Sequence, residues 1–516
     1  MSLLRAASLI ALLSLASKFV GLFRDQVIAF YCGLSAVTDA YQAASLIPAQ
    51  FALIMLGGLN GPFHSAIVST LMKHYEQGER GVYGRVLSTA LLSSLLVMGL
   101  GSVLLFVFAP QIIQLWGQLP DATLQLAILQ LRIIAPVFLI SGLIGILYGI
   151  LAIKNSFVTP SLSPILASLG VMLALVFFSG PDQVSQANAL AWGTLGGAIA
   201  QLGLQLIPLF GFFRGMHFEI KWRDPEFLSY LHLLLPAVLS SSIGQVNMFI
   251  IQFFAAGLRE GSLAAFRFGN LITQLPLGIL LTALLVPLLP LLTAAAQEQT
   301  PDHLALKTRL NQGLRPILML TFPITVLLAA YGLFAVRMLF ERGRFTSADS
   351  WLTYEVLVFL VLSITVYAIR DLLIRVYYAL GDSRTPFMTS FITIAALFGF
   401  SLLLVKPLGV GGVALASSLA AGLNFVVLAL LLRRRIGVWM QRDSWIHLSK
   451  VALASLPLAV LGYFSFQNLA VQPDKLWGFI QASAEGILLS IAYALILLAL
   501  KDREVLLLAQ RFKRRH

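Results

Sequence analysis

Apolar runs of 20 residues or more recur along the chain, separated by short polar breaks rich in Gly, Pro and cations. They lie near 6–31, 36–71, 86–115, 123–152, 157–179, 187–213, 227–257, 262–296, 312–340, 350–380, 386–405, 408–432, 447–468 and 476–500. Each is long enough to cross about 30 Å of hydrocarbon as a helix, and none alternates with the two-residue period of a half-buried strand. The pattern predicts an all-α polytopic membrane protein of about fourteen transmembrane helices.

Landmarks in the first half return in the second, in the same order. Phe30-Tyr31-Cys32-Gly33-Leu34 recurs as Phe254-Ala255-Ala256-Gly257-Leu258, and Leu46-Ile47-Pro48 as Gln274-Leu275-Pro276. Thr159-Pro160 returns as Thr385-Pro386, and Ala189-Leu190-Ala191 as Ala414-Leu415-Ala416. The offsets are 224, 228, 226 and 225 residues. A near-constant spacing points to duplication and fusion, a construction common among secondary transporters. Six spans fall in each copy, so both copies enter the membrane from the same side. The expected architecture is two parallel six-helix lobes around a central cavity, followed by two further helices. Its divisions are 1–222, 223–440, and 441–516 with a basic cytoplasmic tail.

Composition narrows the class. Hydrophobic residues make up 59% of the chain, charged residues 11%, and mean hydropathy is +0.89, values foreign to a soluble domain of 516 residues. The formal charge of +13 is distributed as a topology signal rather than a nucleic-acid footprint. One set of loops carries Lys73, Arg80, Arg85, Lys154, Arg214, Lys221, Arg223, Lys307, Arg309, Arg384, Arg433, Arg434, Arg435 and Arg442. The other set carries only Arg259, Arg342, Arg344, Lys406 and Lys475, which predicts that both termini are cytoplasmic. The first apolar run lacks a small-residue cleavage site and reads as a retained span. A single cysteine, Cys32, excludes an intrachain disulfide.

Charges within spans are costly and mark bundle interiors or wet cavities. Lys18, Arg24 and Asp25 lie on the first helix; Lys18 and Asp25 share a face, with Arg24 about 100° round. Asp39 opens the second helix, with Gln42, Asn60 and His64 following on one stripe. On the eighth helix Arg267, Asn270 and Gln274 fall at i, i+3 and i+7. Aligning the two prolines puts Asp39 opposite Arg267 in register. Two readings stay open for these residues, buried pairs that lock helices or the lining of a cavity. Cations outnumber nearby acids on the first and eighth helices, which favours an anionic substrate such as a phosphate. Asp371 and Arg375, at i,i+4, are expected to pair structurally. Gly57–Pro62 interrupts the second helix, and Pro276, Pro287 and Pro290 the eighth, at matching places in the two copies. His64 and His232 are isolated, so no metal site is expected. No nucleophile elbow, phosphate-binding loop or HExxH is present, so neither enzymatic activity nor a cofactor is expected.

Several segments carry a family resemblance. Arg24-Asp25 after Gly21, Gly33, Thr38-Asp39-Ala40 and Leu46-Ile47-Pro48 resemble the start of the MurJ/MviN lipid II flippases, in the multidrug/oligosaccharidyl-lipid/polysaccharide exporter superfamily. Leu339–Thr346 and Tyr377–Pro386 resemble two further segments typical of that family. The resemblance implies a bacterial inner-membrane transporter that moves the undecaprenyl-pyrophosphate-linked peptidoglycan precursor, lipid II, to the outer leaflet by alternating access. It also implies a cationic cavity between lobes and a groove for the lipid tail along the last two helices. Membrane lipids and cell-wall synthesis or division proteins are the implied partners. Family cavity positions carry over to Arg24 and Asp39, and to Lys18 as a change from Arg. The chain departs from the pattern at Ala52-Leu53, where members often carry Arg-Arg, and at Asn270-Leu271 and Gln274, where they carry Asp-Arg and a later Glu. The carboxylates of the sodium site attributed to some members are missing, since 228–258 and 385–432 hold no Asp or Glu. Alternative functions are a flippase for another polyprenyl-linked oligosaccharide, a cation-coupled multidrug exporter, or a non-transporting scaffold of a cell-wall complex.

Overall fold

The computed structural model describes residues 3–58, 61–214, 219–280, 284–298, 301–469 and 475–506, and these residues form helices and short connections with no strand among them. By contacts the chain sorts into two packed units, Met1–Ala264 with Arg342–Phe345, and Ala265–Glu341 with Thr346–His516.

The first unit holds α1 (Leu3–Cys32), α2 (Ala36–Ser45), α3 (Pro62–Glu76), α4 (Arg80–Val107), α5 (Ala109–Gln114), α6 (Asp121–Ile134), α7 (Pro136–Ile153), α8 (Val158–Phe178), α9 (Gln183–Leu206), α10 (Phe210–Arg214) and α11 (Pro225–Ala256). Several of these starts are written in sequence. Asp182 accepts a bond from the Ser185 N–H at 2.9 Å to cap α9, and Asp224 accepts one from Glu226 N–H at 2.9 Å before Pro225 opens α11. Small residues set the closest packing. A β-carbon at Gly197 would lie 2.7 Å from the Ala167 carbonyl oxygen, and one at Gly193 would lie 2.7 Å from the Ala174 methyl, so α8 and α9 meet backbone to backbone. Leu56, Ile67, Leu87, Ile146, Phe227 and Tyr230 belong to one buried cluster, which packs α11 onto α3, α4 and α7.

The second unit takes most of α12 (Ser262–Leu280), then α13 (Val286–Gln297), α14 (Leu304–Phe340), α15 (Ser347–Val361), α16 (Ser363–Ala379), α17 (Arg384–Ile436), α18 (Arg442–Leu469) and α19 (Lys475–Ala499). The long α14 packs against α13, α15, α16, α18 and α19. A polar clasp joins it to the last two helices. Asn311 donates to the Trp439 carbonyl at 2.7 Å and accepts from Gln441 N–H at 3.1 Å. Arg315 donates to Ser444 at 3.1 Å, while His447 meets Asp502 at 2.8 Å and the Arg315 carbonyl at 2.9 Å.

Among the described residues, eleven helices are long and apolar enough to cross a membrane. The difference from the fourteen anticipated spans has local causes. α17 runs 53 residues and contains two of them, joined at Gly409, whose φ of 53° and ψ of −134° break the helix. α1 is helical but carries Lys18, Arg24 and Asp25 close together. The second anticipated span is broken: after α2 the backbone widens into a π-helix, Leu46–Leu56, and α3 restarts at Pro62. Pro48 has no N–H to continue the α-helical ladder, and the wider turn persists until Gly57 N–H bonds the Ala52 carbonyl at 2.8 Å. The eighth span is likewise divided between α12 and α13. Both interruptions expected from Gly and Pro are present. Asn60 lies outside the described residues.

Candidate functional site

The charged positions of α1 form a short polar step. Arg24 donates to the Asp25 carboxylate through Nη2 at 3.0 Å and Nε at 3.2 Å. Asp25 is buried, Arg24 half-buried and Lys18 exposed. Helical spacing puts Asp25 on the Lys18 face, yet the long Arg24 side chain reaches round to the neighbouring carboxylate. The second unit repeats this arrangement on α16. Asp371 receives Arg370, at 2.7 Å from Nη2 and 3.1 Å from Nε, in place of the i,i+4 partner Arg375 that spacing suggested. Arg370 also lies 4.5 Å over the Tyr367 ring, which holds the guanidinium beside Asp371.

Asp39 is 5% exposed, and its carboxylate accepts from Gly261 N–H at 2.6 Å and Ala264 N–H at 2.9 Å. It caps the start of α12. In return the Glu260 carboxylate accepts from Ala36 N–H at 2.6 Å, at the start of α2. In the register set by Pro48 and Pro276, Ala36 and Ala264 are equivalent, so matching helix starts from the two repeats are each capped by an acid from the other. These carboxylates satisfy backbone donors that would otherwise be left unpaired in a dry environment. Only Asp39 is visible as a candidate in the sequence; Glu260 sits in a loop and carries no periodic signal.

On α12 the exposure pattern follows the predicted stripe. Arg267 and Asn270 are half-buried and Gln274 exposed, while Phe266, Phe268, Ile272, Thr273 and Leu277 are buried in the packed side of the helix. The three polar residues thus share the accessible face of one apolar helix, and a guanidinium with two amides offers donors for oxyanions.

The two later segments singled out in the sequence have structural work. In Leu339–Thr346, Glu341 accepts from Ser350 at 2.7 Å, and Thr346 with Asp349 forms a capping box on α15. Arg344 packs against the end of α1, its N–H on the Phe30 carbonyl at 2.9 Å and its Nη2 on the Pro181 carbonyl at 2.6 Å. The approach requires glycine twice. Gly33 and Gly343 both have positive φ, 61° and 60°, and a β-carbon at either would strike the Arg344 or Phe30 carbonyl oxygen. In Tyr377–Pro386 the Tyr377 hydroxyl donates to the Leu428 carbonyl at 2.9 Å, and Asp382 accepts from Thr385 N–H at 2.9 Å and pairs with Arg435. The Thr385 N–H and the Arg435 charge hold the Asp382 carboxyl below the usual carboxylate range.

Residues 28–474 match the family model for lipid II flippase MurJ. The chain belongs to the MurJ family. Among MurJ proteins, it is 33% identical over 502 residues to the probable lipid II flippase MurJ of Synechocystis sp., covering 94% of this chain and 91% of that one. It is 28% identical over 481 residues to the probable lipid II flippase MurJ of Rhizobium tropici, covering 90% and 86%. In fold it resembles a solved lipid II flippase MurJ in an inward closed conformation, with TM-score 0.77, 22% identity and coverage of 95% of this chain and 99% of that one. A multidrug transporter of the MATE family in its inward-facing conformation is more distant, at TM-score 0.67 and 16% identity over 83% of this chain. Within this MurJ-family chain Ala52 is fully buried on the π-helix. The small apolar residue fits a position where an arginine would need a buried counter-charge.

Proposed function

We propose that the chain is a lipid II flippase of the bacterial inner membrane, passing the undecaprenyl-pyrophosphate-linked sugar-peptide from the inner to the outer leaflet by alternating access. The observation that carries this reading is the 33% identity to a probable lipid II flippase MurJ over nearly the whole of both chains. The charged set on apolar helices supports it. Lys18, Arg24 and Arg267 are cations placed where a phosphate-bearing headgroup needs donors, and Asn270 and Gln274 extend the α12 face with amides suited to sugar or peptide. In this proposal Asp25 positions Arg24, and Asp39 holds the start of α12 in place. The loop cations put both termini in the cytoplasm. The polyprenyl tail stays in lipid, so only the polar headgroup has to cross. The chain's role is then positional and electrostatic, with no bond made or broken. The second reading, a flippase for another polyprenyl-linked oligosaccharide, is favoured by Ala52-Leu53 and Leu271 standing where members often carry arginine.

Complementation of a conditional lipid II flippase depletion strain tests the proposal. The parent chain is expected to restore growth, and Arg24→Ala and Arg267→Ala to lose rescue at equal membrane levels. A parent chain that is well expressed yet fails to rescue would move the assignment to another glycolipid.

A further inference from the structure

A pocket of about 510 Å³ opens where α4 and α11 begin, lined by Arg85, Lys221, Trp222, Arg223, Asp224 and Pro225. It shares no residue with the charged set on α1, α2 and α12. The loop that forms it is fixed from within: Lys221 N–H donates to Thr89 Oγ1 at 3.0 Å, and Arg85 Nε donates to the buried Asp224 at 3.1 Å. Because Asp224 also caps α11, both of its oxygens are committed to protein donors. Lys221 pairs with Glu219 at 2.8 Å, both about half exposed, and Arg223 is exposed with no carboxylate partner among the described residues. Three cations against two acids leave one surplus positive charge. Beside it stand Trp222 and Ile220, 47% and 50% exposed, with the Trp222 ring edge-on to Phe227 at 6.1 Å.

An exposed tryptophan and isoleucine beside unneutralised arginine, at the level where two apolar helices start, are arranged as a headgroup-depth site. A soluble surface has no use for the indole there. A phosphodiester carries one negative charge, which matches the surplus, and the guanidinium fork of Arg223 suits its two free oxygens. We propose that this pocket binds the phosphate of an anionic phospholipid, with Trp222 and Ile220 against the glycerol and upper acyl chains. The bound lipid ties the 219–225 connection, which leads into α11, to the membrane surface.

The test uses the full chain in nanodiscs of mixed phosphatidylglycerol and phosphatidylcholine, with lipids retained after extraction counted by native mass spectrometry. Wild type is expected to retain phosphatidylglycerol preferentially. At about 5-fold per cation, Lys221→Ala with Arg223→Ala should weaken retention roughly 25-fold, and Lys406→Ala should leave it unchanged. Equal retention of the two lipids by wild type, or undiminished retention by a folded double variant, overturns the proposal. Trp222 gives a second readout on intact protein. Brominated phosphatidylglycerol should quench a fluorescence component that Trp222→Phe removes, and equal quenching by brominated phosphatidylcholine counts against the site. Displacement of the lipid by glycerol phosphate at matched concentration would assign the pocket to a soluble phosphate and overturn the lipid.

Discussion

Asp39 shows what a single intramembrane acid does here. Its two oxygens take the Gly261 and Ala264 N–H groups, so Asp39→Ala leaves two buried donors without an acceptor, a cost of about 3 kcal/mol. Asp39→Asn keeps one acceptor and should lose about half as much. Thermal unfolding in detergent measures both, and an Asp39→Ala transition superimposable on wild type would remove the capping role. The candidate charges themselves were legible, because a charge in an apolar run has few alternatives to a partner or a cavity. Their partners were not. The donors to Asp39 lie 222 and 225 residues away, and Arg24 and Arg370 reach adjacent acids that helix periodicity places on another face.

Helices were the most legible elements, since a 20-residue apolar run in lipid has only one way to satisfy its backbone. How they pack was legible only afterwards, because glycines at 170, 193 and 197 look like ordinary membrane glycines until α8 and α9 are side by side. Gly197→Leu should push those helices apart, destabilise the first unit by about 2 kcal/mol, and lower the yield of monodisperse protein in size-exclusion chromatography. In the second unit the clasp on α14 is the element to probe. His447 and Asp502 are each 3% exposed, so His447→Ala strands a buried carboxylate at a cost of about 3–5 kcal/mol. Limited proteolysis near Gly437–Gln441 should then release α18 and α19, and unchanged cleavage would show that apolar packing alone holds them. Burial pushes the Asp502 carboxyl up, but its bond with His447 outweighs this and leaves it below the usual range. The sign follows: this stabilisation is present above about pH 3.9 and is lost as pH falls through the lowered value. Wild-type cleavage should therefore stay slow down to about pH 4 and quicken below it.

For the whole molecule, the asymmetry of its +13 charge is a statement about which face meets the cytoplasm. The native thiol, Cys32, is 2% exposed, which leaves a quiet background for labelling. With an impermeant maleimide on intact cells, Arg259→Cys should label and Arg434→Cys should not; the reverse pattern would invert the topology. The Leu46–Leu56 π-helix carries a consequence of another kind, for insertions and deletions. Each π turn spends one residue more than the α-helix it replaces, so losing one residue here can restore an α-helical turn. That repair would carry a cost downstream: everything from Gly57 on would be advanced by about 1.5 Å and rotated by about 100° against the helices it packs on. Relatives that share this packing should therefore keep the same residue count through the segment even where every side chain in it has changed.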